Sequence, residues 1–135
     1  MRARLAAALV VALCACATGA CHGITTPSSN TTQTFPGTLN PGGSASYPFS
    51  VSKTGEFTVK LTAWAPNSSL LVGLAWTAGN NDGSCTTSVL QQNNLTAFNT
   101  EALGGQIVSG KYCIFIYDVG TLTAAQTYTI SVSHP

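Results

Sequence analysis

Ser44-Ala45-Ser46-Tyr47-Pro48-Phe49-Ser50-Val51 is the stretch from which the fold is read. Ala45, Tyr47, Phe49 and Val51 occupy one parity, while Ser44, Ser46, Pro48 and Ser50 occupy the other. A period of two with a single apolar side is the signature of a half-buried strand. Pro48 has no N–H to give to a ladder, so the strand belongs at a sheet edge or the residue at a bulge. Downstream, Lys53-Thr54-Gly55-Glu56 reads as a turn, and Phe57, Val59, Leu61 and Ala63 resume the alternation. The two segments are expected to pair as a hairpin. After Pro66-Asn67-Ser68, one parity carries Leu70, Val72, Leu74 and Trp76 and the other Leu71, Gly73 and Ala75, so both sides are apolar and the strand is expected to be central.

The rest of the chain repeats this pattern. Residues 78–83 (Ala-Gly-Asn-Asn-Asp-Gly) are turn chemistry, because Gly and Asn tolerate positive φ. Residues 85–90 resume an extended run, and a weaker strand is expected over 95–103. Gly104, Gly105 and Gly110 are read as the next turn. Tyr112-Cys113-Ile114-Phe115-Ile116-Tyr117 is apolar on both parities and is the expected sheet centre, and Tyr128, Ile130 and Val132 close the series. No segment has a 3.6-residue period. About eight strands at intervals of about ten residues predict an all-β fold, an antiparallel two-sheet sandwich of jelly-roll type.

Composition agrees with this. In 135 residues there are 19 Thr, 13 Ser and 8 Asn but only 7% charged residues, which favours strands and turns over helix. Uncharged polar groups must therefore cover the surface. Both arginines, Arg2 and Arg4, sit at the N-terminus, and the remainder carries three lysines against four acids. That balance excludes a nucleic-acid partner held by phosphate contacts.

Arg2 and Arg4 followed by the apolar run 5–13 read as a signal peptide, since the run is too short to span a bilayer. Leu13-Cys14-Ala15-Cys16 resembles a bacterial lipobox, with Leu three positions and Ala one position ahead of Cys16. Cys16 is the expected lipid-attachment residue. Cys21, preceded by Thr18-Gly19-Ala20, is the alternative, and ordinary cleavage after Ala15-Cys16-Ala17 would release a soluble secreted chain. Several tens of buried methylenes at roughly 0.8 kcal/mol each would hold an acylated chain on the membrane. The expected organisation is a signal peptide and lipobox over 1–20, a polar tether over 21–33 and one sandwich domain over 34–135.

Cys85 and Cys113 are the two cysteines outside the export segment, 28 positions apart, and in an exported chain they are expected to form a disulfide. A nucleophilic thiol would need a basic partner, and the two histidines, His22 and His134, lie in the tether and next to the C-terminal Pro135.

Phe35-Pro36-Gly37-Thr38-Leu39-Asn40-Pro41-Gly42, running into Tyr47-Pro48-Phe49-Ser50-Val51, resembles the opening of the bacterial pre-peptidase C-terminal (PPC-like) domains. Those domains begin with a G-x-L-x-x-G step and a Y-x-F-x-V strand. Gly110-Lys111-Tyr112-Cys113-Ile114 and Tyr128-Thr129-Ile130-Ser131-Val132 resemble their closing strands. Membership would imply a β-sandwich that serves as an accessory domain of secreted proteins, with a role in binding or export and not in catalysis. The acidic D-x-D-L step of many such domains is replaced by Ser69-Leu70-Leu71-Val72-Gly73-Leu74, so a calcium site is not implied.

Other candidate sites are thin. In Asn80-Asn81-Asp82-Gly83 an EF-hand alignment would place Ala78 and Val89 at ligand positions, so a turn is expected and a metal is not. Asp118 is expected to cap the turn that follows it. Ser-His-Asp catalysis would depend on His134, and no G-x-S-x-G elbow exists. Glu56 and Glu101 have the chemistry of glycosidase carboxylates but nothing that brings them together. Trp64 falls on the polar parity with Lys60 and Thr62, which makes it a candidate stacking platform for a sugar or a partner protein; a bend ahead of Pro66 would instead turn it inward. The expected function is that of an exported, lipid-anchored, noncatalytic envelope module without a cofactor, its partner an envelope protein or a polysaccharide. The alternatives are a small secreted hydrolase or protease-associated domain, and a structural component without ligand.

Overall fold

A computed structural model describes residues 29–135. Within them run eight strands: β1 (Thr31–Leu39), β2 (Ser44–Val51), β3 (Gly55–Ala65), β4 (Val72–Gly79), β5 (Cys85–Thr96), β6 (Glu101–Ile107), β7 (Gly110–Tyr117) and β8 (Gln126–His134). They form two four-stranded sheets, ordered β1-β8-β3-β6 and β2-β7-β4-β5, with every pairing antiparallel. The all-β sandwich expected from the sequence is the one observed, and β7 is central. Pro48 lies on β2 and Pro36 on β1, both edge strands, where a missing N–H costs no ladder bond.

The β2–β3 hairpin does not form. β2 pairs with β7 in one sheet, and β3 pairs with β8 and β6 in the other. Periodicity reports which side chains point inward, and Phe49 and Phe57 both do so, from opposite sheets. Of the consecutive strands only β4 and β5 are hydrogen-bonded neighbours; all other connections cross between sheets.

The interior is filled by the alternating residues. Leu61, Leu74, Ile114, Ile116, Ile130 and Val132 have no exposed surface. Each such side chain contributes about 1.5–3 kcal/mol by leaving water. Near one end Tyr47 stacks on Phe35 with centroids 5.0 Å apart, and its hydroxyl lies 2.7 Å from that of Tyr128. Burial, reinforced by the bond to Tyr47, pushes the Tyr128 phenol above its ordinary range. Gly37 leaves room for this pair, since a Cβ there would overlap both phenols.

Three boundaries differ from the sequence expectation. β1 begins at Thr31, so residues 31–33 belong to the sandwich and not to the tether; their polar side chains suit an edge strand, and the ladder to β8 holds them. The extended run at 85–90 continues to Thr96, and the expected strand over 95–103 is divided by a turn at 97–100 with Asn99 at φ 59°. Gly104 and Gly105 are not a turn but part of edge strand β6, opposite Thr58 and Phe57.

Candidate partner-binding groove

β4 lies between β7 and β5, and its outward row, Gly73, Ala75, Thr77 and Gly79, is made of small residues. Across the ladder to β7 these face larger ones: Gly73 opposes Tyr117, Ala75 opposes Phe115 and Thr77 opposes Cys113. On the other side β5 brings 12 residues against the 8 of β4, and their register slips at three places. Slips of this kind are bulges, which bend a strand and increase its twist. Small residues in the middle and larger ones on either side leave a trough.

Two links pass over β4 from β5 to β7. At one end Cys85 and Cys113 form the expected disulfide, with an S–S distance of 2.01 Å and Cα atoms 5.7 Å apart. At the other end the Tyr117 hydroxyl donates to Asn94 Oδ1. Burial raises the Tyr117 pKa, so the phenol keeps the proton that it donates. Gly73 makes the second link feasible, because a Cβ there would overlap the Tyr117 ring.

Between the links lies a groove of about 230 Å³, lined by Ala75, Thr77, Thr86, Thr87, Val89, Gln92, Phe115 and Tyr117. The Thr77 and Thr86 hydroxyls both donate to the Ala78 carbonyl, at 3.3 and 2.7 Å, which leaves their methyl groups for the groove. Its lining is accordingly almost wholly apolar. Beside it β5 has no charged residue, and Val89 and Leu90 are each 51% exposed and Leu95 70%. Phe98 and Val108 are also exposed, at 41% and 56%, but lie outside the strands, so β5 carries the exposed apolar run next to the groove and makes it the candidate contact face.

Strand addition is an unsuitable mode of contact here. Proline interrupts the edges of β1 and β2, bulges distort β5, and Gly105 at φ 135° distorts β6. β5 and β6 also cap each other, Asn93 donating to the Ala102 carbonyl at 3.1 Å and Gly104 N–H to Gln91 Oε1 at 3.3 Å.

The sequence-predicted site residues fare differently. Cys16 and Cys21 lie outside the described residues. Trp64 is 4% exposed and cannot serve as a stacking platform. The register of β3 on β8 shifts between Leu61 and Ala63, so Thr62 and Ala63 both face out and Trp64 turns into the core, where its Nε1 donates to the Leu70 carbonyl at 2.9 Å. Asp118 is the expected cap and more: one carboxylate oxygen accepts the N–H groups of Gly120, Thr121 and Leu122, and the other that of Gly42 at 2.8 Å. These bonds, Gly42 foremost, hold its pKa below the ordinary value.

The turn expected over 78–83 falls at residues 80–84, since Ala78 and Gly79 belong to β4; Asp82 accepts there from both the hydroxyl and the backbone of Ser84, and these bonds lower its pKa. Beside it a hollow of about 240 Å³ includes Phe49, Ser50 and Lys111, but the Lys111 ammonium is spent on the Asn81 carbonyl at 2.5 Å. His134 is buried at the end of β8 with its ring 5.4 Å from that of Phe49. Glu56 and Glu101 are exposed and lie opposite different partners, Gln106 and Lys60. Among the described residues no group of three or more His, Cys, Asp or Glu could hold a metal ion.

No family model matches the chain, and no curated protein matches it. Among solved structures it is similar to Aeromonas hydrophila PliG, a periplasmic lysozyme inhibitor of g-type lysozyme. The TM-score is 0.52 at 14% identity, over 82% of this chain and 92% of that one. The likeness is one of fold. PliG itself is a periplasmic inhibitor.

The groove was not anticipated from sequence. Two of its signals were visible, the apolar residues on both parities of 112–117 and the small residues at 73, 75, 77 and 79. The bulges that lift β5 into a wall left no pattern.

Proposed function

We propose that the chain is an exported, noncatalytic envelope module, lipid-anchored through Cys16 or alternatively Cys21, that binds a protein partner with the groove and the β5 side of its second sheet. The carrying observation is the uncharged strand β5 with Val89 and Leu90 half in water beside an apolar trough. Hydrophobic surface flanked by uncharged amides and hydroxyls suits a protein contact of low salt sensitivity. The PPC-like opening and closing strands support an accessory binding role. The fold shared with PliG makes a lysozyme the first partner to assay.

The test compares faces. Tagged protein is isolated from envelope fractions as wild type, as Leu90→Arg and as Thr129→Arg, the last on the outer face of the first sheet. A partner recovered with wild type and Thr129→Arg but lost with Leu90→Arg supports the proposal. Recovery that ignores position 90 contradicts it. In parallel, inhibition of a g-type lysozyme at near-equimolar protein supports that partner class, and unaffected lysis removes it.

A second reading has its own observation. The outer face of the first sheet carries cross-strand hydroxyl rows, Thr32–Ser133–Thr58 and Thr34–Ser131 beside Lys60. Such a face matches sugar hydroxyls and favours polysaccharide contact. Retention on insoluble cell wall that Thr129→Arg abolishes would support it.

A further inference from the structure

The two halves of β5 are held by different means. From Gln91 onward the strand is tied repeatedly: Gln91 accepts from the Gly104 N–H, Asn93 bonds to the Ala102 carbonyl, Asn94 accepts from Tyr117, and Thr96 is 1% exposed. Between Cys85 and Leu90 there is much less. The register slips between the pairs Thr77–Val89 and Gly79–Cys85, the side chains of residues 87–90 are exposed, and the noncovalent side-chain tie is the bond from Thr86 to the Ala78 carbonyl. Yet Thr86, Thr87 and Val89 form one wall of the groove. Besides two register pairs with β4 and the hydrogen-bonded turn at 80–84, what ties that wall to the body of the sheet is the bond from Cys85 to Cys113, a fully buried residue on the central strand β7.

We propose that the Cys85–Cys113 disulfide is a redox latch on the binding groove, and that a dithiol reductant of the envelope opens the groove without unfolding the sandwich. This rests on the groove being the partner site. Cys85 is partly exposed and Cys113 is fully buried, so the attacking thiolate reaches Cys85 Sγ. That step forms a mixed disulfide and releases Cys113 as a thiolate, which takes a proton. The second thiol of the reductant then displaces the Cys85 sulfur, which is protonated in turn. Two electrons and two protons pass to the protein, and the dithiol becomes a disulfide. The 85–90 segment is then free to leave β4, while the residues that fill the interior keep their contacts.

The experiment uses the mature protein, oxidised and after reduction with dithiothreitol, and follows amide hydrogen exchange by mass spectrometry. The latch predicts that exchange over residues 86–90 rises by about tenfold or more on reduction, while peptides from β7 and β8 stay protected. Unchanged exchange over 86–90 overturns it, and so does protection lost across β7 and β8, since the bond would then hold the whole fold. A Cys85→Ser/Cys113→Ala variant should reproduce the reduced pattern without reductant. In parallel samples with g-type lysozyme added as the probe, a photo-reactive residue at position 89, in the groove wall, reports partner capture. Capture lost on reduction supports gating. Exchange that opens while capture persists overturns the gating of the site, and absence of capture even in the oxidised protein counts against the groove as the partner site, which distinguishes the two failures.

Discussion

The outer faces of the two sheets are built on the same alternation and end up opposite in character. On the first sheet the outward positions of β1, β3 and β8 are mostly hydroxyl-bearing, with Thr32, Thr34, Thr58, Thr62, Thr127, Thr129, Ser131 and Ser133 beside Glu56, Lys60, Ala63 and Ala65. On the second, the central strands turn Gly73, Ala75, Thr77, Cys113, Phe115 and Tyr117 outward. Ala75 and Thr77 are 3% and 1% exposed although no further layer among the described residues covers them, because β5 and the aromatic row of β7 close over β4. One face is hydrated through its hydroxyls, and the other is a fold-over that leaves an apolar slot. The apolar groove, the proposed binding surface, therefore arises where the sandwich departs from regular pairing, not where it is most regular.

Substitutions can break or sharpen this contrast. The largest loss is expected at neither face: Trp64→Ala should cost about 3–5 kcal/mol, read from denaturant melts, because the ring is core. A small loss there would return Trp64 to the surface. Next is the latch on the second sheet. Replacing both cysteines should lower stability by roughly 3.5 kcal/mol through the unfolded chain, leaving a folded protein with a reduced melting temperature. Gly73→Ala should cost about 1–3 kcal/mol, since the new methyl displaces Tyr117 and with it the bond to Asn94. The matching change on the first sheet, Thr129→Ala, should stay within about 0.5 kcal/mol.

Much of this organisation was legible beforehand, for reasons that specific residues make plain. Pro48 announced an edge, and Ile114 flanked by apolar neighbours on both parities announced a centre. What failed was anything that depends on pairing partners. The β2–β3 arch looks like a hairpin because alternation is the same whether two strands lie side by side or face to face. Alternation alone puts Trp64 outside, and the inward alternative raised by Pro66 is the one observed, because a bulge at Thr62 and Ala63 inverts parity. The groove needed both kinds of information, the small outward row of β4 and the irregular register of β5, and only the first is written locally.

The smallest expected effect lies at the end of the sandwich remote from the disulfide. The hydrogen bonds to Asp118 depress its folded pKa below the ordinary 3.8, so its stabilisation is complete above that value and is lost as pH falls through the folded pKa. Thermal melts at pH 6 and pH 3 should show a larger acid loss for the wild type than for Asp118→Asn. Equal losses would mean that the four backbone bonds contribute nothing through charge.

The central claim, that the β5 side of the second sheet receives a protein, is tested most directly by photo-cross-linking in intact cells. A photo-reactive residue is placed at Leu90 in one strain and at Thr129 in another. The account predicts one discrete protein adduct from position 90 and little or none from position 129. Adducts from 129 alone, or equal yields from both positions, would contradict it.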